Sequence, residues 1–374
     1  MTFLTIGLSL SPTWVRGQSW RRPDSRVEEL FSAGPYVEAA QRAEAACLDF
    51  VFKPDALALN TESLAQGPGF SAVDPIVLMT AVAQATEHIS VIPTVSSTYS
   101  HPYTSARQLQ SLDHLSGGRV GWNVVTSLGG QENFPERTPP TDTYANAEDF
   151  VAMVEALRRT YPSESLRIDR EAGVYADPTM ISTASPRGRY RSTGPLTVPA
   201  ISPRRWPLLH AGASEASALF AASHADAVFA MAASEEDARK QRAGLRERAL
   251  LSGRTRAPRL LPGLALTLMK DRSSAQELAA SARSDAPAHV RHWHIVGNSA
   301  DAIREIAARA SKRVIDGFIA LPVGSWESVE IFFDDVVPTL QDMGIARAEY
   351  SLPLTLDIDE EPVLRAGNDH EEDI

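Results

Sequence analysis

A (β/α)8 (TIM) barrel is the fold that this 374-residue chain predicts, and three observations carry that reading. Eight short apolar runs are each followed by a helical stretch or connection, the rhythm of a parallel sheet. No G-x-G-x-x-G follows the first run, and GGRVG at Gly117–Gly121 has the wrong spacing and helix–strand order for a dinucleotide-binding turn. No linker divides the chain, so residues 1–356 read as one barrel domain and residues 357–374 as an acidic tail.

Each element has a local reason. Phe3–Leu10 is a continuous apolar run and reads as a buried strand. A polar loop with Trp14 and Trp20 follows, and either tryptophan could line a pocket or pack the barrel mouth. Pro35 opens a helix whose apolar residues recur at helical spacing. Leu48–Phe52 is the second strand. Asp74 and Pro75 form an N-cap and first residue for a helix to Ala85. Ile89–Thr94 is the third strand, Tyr103–Leu115 its helix, and Gly117–Gly118 the stop. Arg119–Val125 is the fourth strand and Tyr144–Thr160 the next helix. Pro207–Ala211, Ala225–Met231, Leu260–Leu268 and Gly317–Leu321 complete the strands. Helices are expected at Ser214–Ser223, Ser234–Leu251, near Ser274–Ser284, at Asp301–Lys312 and at Trp326–Met343. Pro162–Pro203, rich in Ser, Arg, Gly, Pro and Thr, is too long for a plain barrel loop. It reads as an insertion at the mouth and a candidate lid.

Composition removes whole classes of function. Apolar residues are 43% and charged residues 22%, an ordinary globular balance. The formal net charge is −11, and residues 357–374 hold eight acids against Arg365. An acidic chain with no basic stripe repels a phosphate backbone, so nucleic acid is not an expected partner. One cysteine, Cys47, excludes a disulfide framework and any multi-cysteine metal site. No apolar stretch is long enough to span a membrane, and the N-terminus lacks a signal-peptide pattern. The expected compartment is the cytoplasm.

In a barrel the chemistry sits at the C-terminal ends of the strands. That rule selects Lys53-Pro54-Asp55, Ser96–Tyr103 with His101, Trp122–Ser127 with Asn123, and His210–Ser214. Asp55 is otherwise an ordinary turn aspartate, and Ser96–Thr98 could satisfy their own loop. Asn123 lies inside an apolar strand and must find partners. Ala211-Gly212-Ala213-Ser214 opens a helix whose free N–H groups could bind phosphate, or Ser214 is a plain cap. His101 is either a proton carrier or a packed residue before Pro102. His289, His292 and His294 cluster, but no carboxylate is spaced with them, so no metal site is expected. Hydrolase chemistry fares poorly: there is no G-x-S-x-G, and Cys47 is expected on the interior face of a helix.

The run LDHLSGGRVGWNVVTS (Leu112–Ser127) resembles the bacterial luciferase-like flavin monooxygenase family, in its nitrilotriacetate and dibenzothiophene-sulfone monooxygenase branch. SWRRP, YVEAAQRAEAACLDFVFKPD, DPIVLMTAVAQATEHISVIPTVSSTYSHPYTSAR and PLLHAGASEASALFAASHADAVFA are similar to family segments in the same order. The similarity is strong from Leu4 to Met231 and weak beyond Ser234. It implies a luciferase-like barrel holding reduced FMN (FMNH2), which reacts with O2 through a flavin C4a-hydroperoxide to oxygenate a small organic substrate. It also implies a separate NAD(P)H-dependent flavin reductase and a homodimer or homotetramer. Carried over by position, Asp55, Ser97 and Thr98 lie beside the isoalloxazine. Asn123 lies under or beside the ring, and Tyr144 and Ser214 contact the phosphate with Ala213 and Ser127 nearby. His101 and Asn123 are the expected catalytic residues. The chain departs from the family at His210–Ala213, where Gln-Ala-Gly-Ser is usual, and it is shorter than the branch. An F420-dependent oxidoreductase and a non-catalytic flavin-binding subunit are the alternative readings.

Overall fold

The computed structural model describes residues 3–69, 71–127, 129–136, 138, 140–282 and 292–350. The acidic tail and His289 lie outside the described residues.

The strands are β1 (Thr5–Ser9), β2 (Phe50–Lys53), β3 (Ser90–Ser96), β4 (Trp122–Val125), β5 (Leu166–Asp169), β6 (Val174–Ala176), β7 (Leu208–Ala211), β8 (Ala227–Ala230), β9 (Arg259–Leu268), β10 (Trp293–Gly297) and β11 (Gly317–Pro322). Parallel pairing runs β1–β2–β3–β4–β7–β8–β9–β11, and β11 pairs back to β1, so eight strands close a barrel. Around it lie α1 (Gly34–Ala45), α2 (Pro75–Gln84), α3 (Pro102–Ser116), α4 (Thr143–Arg158), α5 (Glu215–His224), α6 (Glu235–Leu251), α7 (Arg272–Ser281), α8 (Ser299–Ser311), α9 (Trp326–Ile331) and α10 (Val337–Asp342). A π-helical turn, Phe332–Val336, joins α9 to α10, so the expected last helix is continuous but widened.

Side chains alternate along each strand between the lumen and the helical layer. Phe50, Phe52, Ile92, Leu209, Ala227, Leu261 and Ile319 fill the lumen. Gly7 faces them, and a Cβ there would collide with the Phe50 ring. The outward residues, such as Ile6, Leu8, Val51, Val91, Val124 and Leu264, pack under the helices as the larger core. Each such Val, Leu, Ile or Phe contributes about 1.5–3 kcal/mol on burial. The caps follow the expected chemistry. Asp74 accepts from the N–H groups of Ile76 and Val77, and Gly117 ends α3 with φ of 68°.

Three expectations change. First, β10 is a strand that the apolar pattern did not reveal. Residue Ala230 of β8 ends opposite Pro262 of β9, and β10 takes over that edge from Leu264 to Leu268. Second, the insertion does not start at the mouth. It leaves the end of α4, at the opposite end of the barrel, where Arg158 donates to the carbonyls of Ser202 (2.8 Å) and Pro203 (2.9 Å). It forms the antiparallel β5–β6 hairpin, reaches the mouth at Tyr190, and returns along α3, where Gln110 donates to Val198 O. Third, Cys47 is not on the interior face of α1. It lies just beyond the helix, half-buried, in a left-handed turn with φ of 54° that feeds β2.

Among the described residues no helix is long and apolar enough to cross a membrane.

Candidate active site at the barrel mouth

The upper lumen turns polar as β3 and β4 rise. Ile92 belongs to the apolar lumen core, and Thr94, two residues on, pairs with Asn123 across the strands. Thr94 Oγ1 donates its one proton to the carbonyl of Lys53 at 2.8 Å. It can therefore only accept from Asn123, whose Nδ2 lies 3.0 Å away. That bond fixes the amide orientation and leaves Asn123 Oδ1 buried with no hydrogen-bond partner. A buried orphan acceptor costs about 1–3 kcal/mol, and an N–H donor entering the lumen would relieve it.

Ser96 and Ser127 form the next rung. Ser127 Oγ donates to Ser96 Oγ at 2.8 Å, and the Tyr99 N–H donates to the same oxygen at 3.1 Å. Ser127 holds a left-handed backbone, φ 58°, uncommon for a residue with a Cβ. Ser97 is fully buried and spends its hydroxyl proton on the carbonyl of Val125 at 3.1 Å. Thr98 donates to Thr126 O at 2.6 Å. Their protons are thus committed to the backbone, and any ligand would meet them as acceptors. Tyr190 staples the insertion here. Its hydroxyl lies 3.0 Å from Asn146 Oδ1 and 3.2 Å from Ser97 O, donating to one at a time.

Thr98 lines an open cavity of about 500 Å³ with His101, Arg189, Tyr190, Arg191 and Ser192. His101 is exposed at the N-cap position of α3 and makes no side-chain capping bond. Asp55 is exposed past β2 and accepts from the Ala56 N–H at 2.9 Å. Beside it, Lys53 is buried, and burial pulls its amine down to about 8 against the opposing charges of Asp55 and Asp74. The strand-end rule selected Lys53 but gave it no role, because an apolar strand end gives no sign of which way a lysine turns.

Two helix N-termini meet the same rim. At α4, Asp142 already places a carboxylate on the N–H groups of Tyr144 and Ala145, both at 3.0 Å. At α5 the cap is the neutral Ser214, which accepts from the Ser217 N–H at 3.1 Å. Glu215 in the first turn of α5 is paired with Arg248 at 2.6 Å, so an added anion is favoured at α5 over α4. Ala213 and Ser214 are exposed there. Behind them His210 is buried between β7 and the helices. Its Nδ1 lies 2.7 Å from Val124 O, which can only accept, so Nδ1 carries the proton and Nε2 accepts from Ser217 Oγ at 2.9 Å. Burial pushes His210 down to about 4 and keeps it neutral. Gly212 is required here, since a Cβ would strike Ser217 Oγ. The Tyr144 ring leans on His210 and Phe220 at 6.0 and 5.9 Å.

The structure thus brings Thr98, His101, Asn123, Ser127, Tyr144 and Ser214 to one end of the barrel. The tryptophans do not join them. Trp14 is buried against Tyr36 and Trp326, and Trp20 donates to Gln66 O at 2.8 Å. Sequence reasoning also undervalued His292, just before β10, and His294 within it. Among the described residues no three His, Cys, Asp or Glu side chains are grouped to hold a metal.

The comparisons agree with this architecture. The family model described as luciferase-like monooxygenase matches residues 13–342. An N-acetyl-S-(2-succino)cysteine monooxygenase of Bacillus subtilis (strain 168) is 26% identical, over 93% of this chain and 94% of its own length. A dibenzothiophene-sulfone monooxygenase of Rhodococcus erythropolis is 36% identical, but over 57% of this chain and only 50% of its own length. A riboflavin lyase solved with modified FMN and riboflavin superposes with a TM-score of 0.82 at 25% identity, covering 95% of each chain. A closed parallel barrel with this mouth and this match across most of its length belongs to the luciferase-like monooxygenase family of enzymes.

Proposed function

We propose that the chain is the oxygenase of a two-component system, taking FMNH2 from a separate NAD(P)H-dependent flavin reductase and using O2 to oxygenate a small organic substrate. The observation that carries this reading is Asn123 Oδ1, a buried acceptor with no partner, bonded through its amide to Thr94 above the apolar lumen core. A reduced flavin ring has N–H donors of the kind this oxygen lacks. The residues fit the rest of the cofactor. The α5 N-terminus, whose Glu215 carboxylate is paired with Arg248, and Ser214 suit its phosphate, with the Tyr144 hydroxyl as a further donor. Ser96, Ser97, Thr98, Ser127 and Asp55 border the ring side, and Ala213 leaves room beside the phosphate.

When bound, reduced flavin supplies the two electrons that activate O2. The chain's own part is to orient and to exclude water. Asn123 holds the ring through its amide, and the packed Phe50–Phe52–Ile92 layer closes the floor. His101, exposed beside the cavity, is the proposed proton carrier, since an imidazole titrates near working pH. Its loss should leave FMNH2 affinity intact and reduce coupled product about 10²–10⁴-fold. The absent dinucleotide fingerprint supports the separate reductase.

The test is reconstitution. The chain alone with NADH, FMN and O2 should be silent, and adding any flavin reductase should start substrate turnover or peroxide release. Direct NADH oxidation by the lone chain would overturn the reading.

A further inference from the structure

We propose that the cavity beside Thr98 is an organic-anion subsite, where the guanidiniums of Arg189 and Arg191 hold the carboxylate of a small acid at the barrel mouth. Its use as the substrate's subsite rests on the function proposed above; its existence does not.

Charge singles out this place. The chain carries a formal net charge of −11, yet residues 178–214 contain no Asp or Glu and hold Arg187, Arg189, Arg191, Arg204 and Arg205. A local excess of positive charge draws anions. The backbone decides where two of these arginines go. The Ala184 N–H donates to Thr193 O at 2.8 Å, and Arg187 and Tyr190 exchange backbone bonds of 3.1 and 2.7 Å. Those pairs fold residues 184–193 into a tight hairpin with Gly188 and Arg189 at its tip. Gly188 has φ of 49°, and a Cβ there would strike the Asp149 carboxylate. Tyr190 turns inward, its hydroxyl against Asn146 Oδ1 and Ser97 O, and pins the tip to α4. Arg189 and Arg191, on either side of it in sequence, border the cavity of about 500 Å³ with Thr98, His101 and Ser192.

The two guanidiniums are positioned without being neutralised. Arg189 Nη2 donates to Thr138 O at 3.2 Å. Arg191 Nη1 donates to Gly188 O at 2.6 Å and to Tyr190 O at 3.3 Å. Backbone carbonyls orient a guanidinium and leave its charge intact. Among the described residues no carboxylate forms an ion pair with either, Asp149 included. Arginines elsewhere on the surface are answered: Arg26 by Glu29 and Glu38, Arg159 by Glu155, Arg248 by Glu215. The bonds of Arg191 occupy Nη1 alone, so Nε and Nη2 remain, an edge that grips a carboxylate through two parallel bonds. Thr98 belongs both to this cavity and to the proposed ring side, so an acid gripped here has its remaining body beside the flavin. A cationic substrate would be repelled from the same wall.

The experiment titrates the full chain with hexanoate and, in parallel, with hexanamide, which keeps the shape and removes the charge. Calorimetry gives the affinities. Hexanoate should bind about tenfold more tightly than hexanamide, the ratio that a charge-assisted hydrogen bond supplies, and should weaken as salt rises. Arg189→Gln and Arg191→Gln should each bring hexanoate down toward hexanamide. Arg191→Lys, which keeps the charge and loses the fork, should fall between. Both positions are exposed, so the variants should unfold at the parent's temperature, and Arg189→Gln decides should Arg191→Gln not fold. FMNH2 and reduced riboflavin are titrated in the same variants. Unchanged FMNH2 affinity assigns the arginines to the acid. A loss of FMNH2 with reduced riboflavin unaffected gives them to the flavin phosphate and overturns the subsite. Equal binding of hexanoate and hexanamide, no hexanoate binding, or parental hexanoate binding by both Gln variants overturns it as well. Hexanoate binding by a chain that does not bind FMNH2 keeps the subsite and removes the flavin reading alone.

Discussion

The two ends of the barrel handle polar groups in opposite ways. At the N-terminal end, three aspartates precede strands and are fully engaged. Asp49, Asp226 and Asp316 accept the backbone N–H groups of Ile6, Leu208 and Leu260 on neighbouring strands, at 2.7, 2.7 and 2.9 Å. Each also faces an arginine: Arg347 at 2.7 Å, Arg205, and Arg242 at 2.6 Å. At the C-terminal end, Asn123 Oδ1 and His292 Nδ1 are buried with no partner. At one end these three aspartates hold neighbouring strands together. The other carries unmet polarity, at about 1–3 kcal/mol per group, which a ligand entering the lumen would satisfy. Stability and function are thus divided along the barrel axis, as the fold allows.

The sharpest way to break this comparison is Asp226→Ala. It leaves the Leu208 N–H and the nearby guanidiniums of Arg205 and Arg254 without their carboxylate. The Arg205 side chain is half exposed, so the main loss is the buried Leu208 N–H left without its acceptor, about 1–3 kcal/mol. Urea unfolding should show that loss, while the folded fraction binds FMNH2 with wild-type affinity. A specific flavin defect would mean that the two ends are not independent.

Acid is the next lever. His210 titrates at about 4 in the folded chain against an ordinary 6.5, because burial disfavours its charge. The unfolded chain therefore takes the proton first. Stability from this group is complete above pH 6.5 and is lost as pH falls toward 4, by about 3 kcal/mol in all. His292, also at about 4, titrates over the same window. Chemical denaturation from pH 7 to pH 4 should show the slope, and His210→Leu should flatten part of it. A slope unchanged in that variant would show that His210 is charged or solvated when folded.

On the flavin side, Tyr144→Phe keeps the packing on His210 and Phe220 and removes only a hydroxyl. A charge-assisted hydrogen bond is worth about 1.5–3 kcal/mol, so FMNH2 binding should weaken roughly ten- to hundredfold. Reduced riboflavin, without the phosphate, should bind both proteins alike. An equal loss for the two ligands would move Tyr144 away from the phosphate.

Much of this was legible in the sequence, for reasons that also explain what was not. The eight barrel strands are buried on both faces, so they read as unbroken apolar runs such as Leu260–Leu268. Caps such as Asp74-Pro75 and the Gly117 stop are local chemistry and need no tertiary contact. β10 was missed because WHIVG mixes an exposed His294 with buried neighbours and lies beside only one partner strand. The path of Pro162–Pro203 depends on Arg158 at one end and Tyr190 at the other, contacts that span dozens of residues. The resemblance set Ser97 beside the flavin ring, while its own residues left it able to satisfy its loop. Only the fold shows that its proton goes to Val125.

The smallest effect sharpens the comparison most. Asn123→Leu removes the orphan acceptor and nearly preserves volume in a fully enclosed position. Thr94 loses one donor but keeps its own bond to Lys53 O. In the chain without ligand, the cost of the unmet carbonyl disappears, so thermal stability should stay level or rise. A neutral hydrogen bond contributes about 0.5–1.5 kcal/mol, so FMNH2 affinity should fall roughly two- to tenfold. The two signs must be opposite. A loss of both stability and binding would make Asn123 a structural residue of β4, and unchanged binding would move the ring elsewhere. Opposite signs would mean that the mouth keeps a destabilising group because the ligand needs it, a trade that Asp49, Asp226 and Asp316 at the other end do not make.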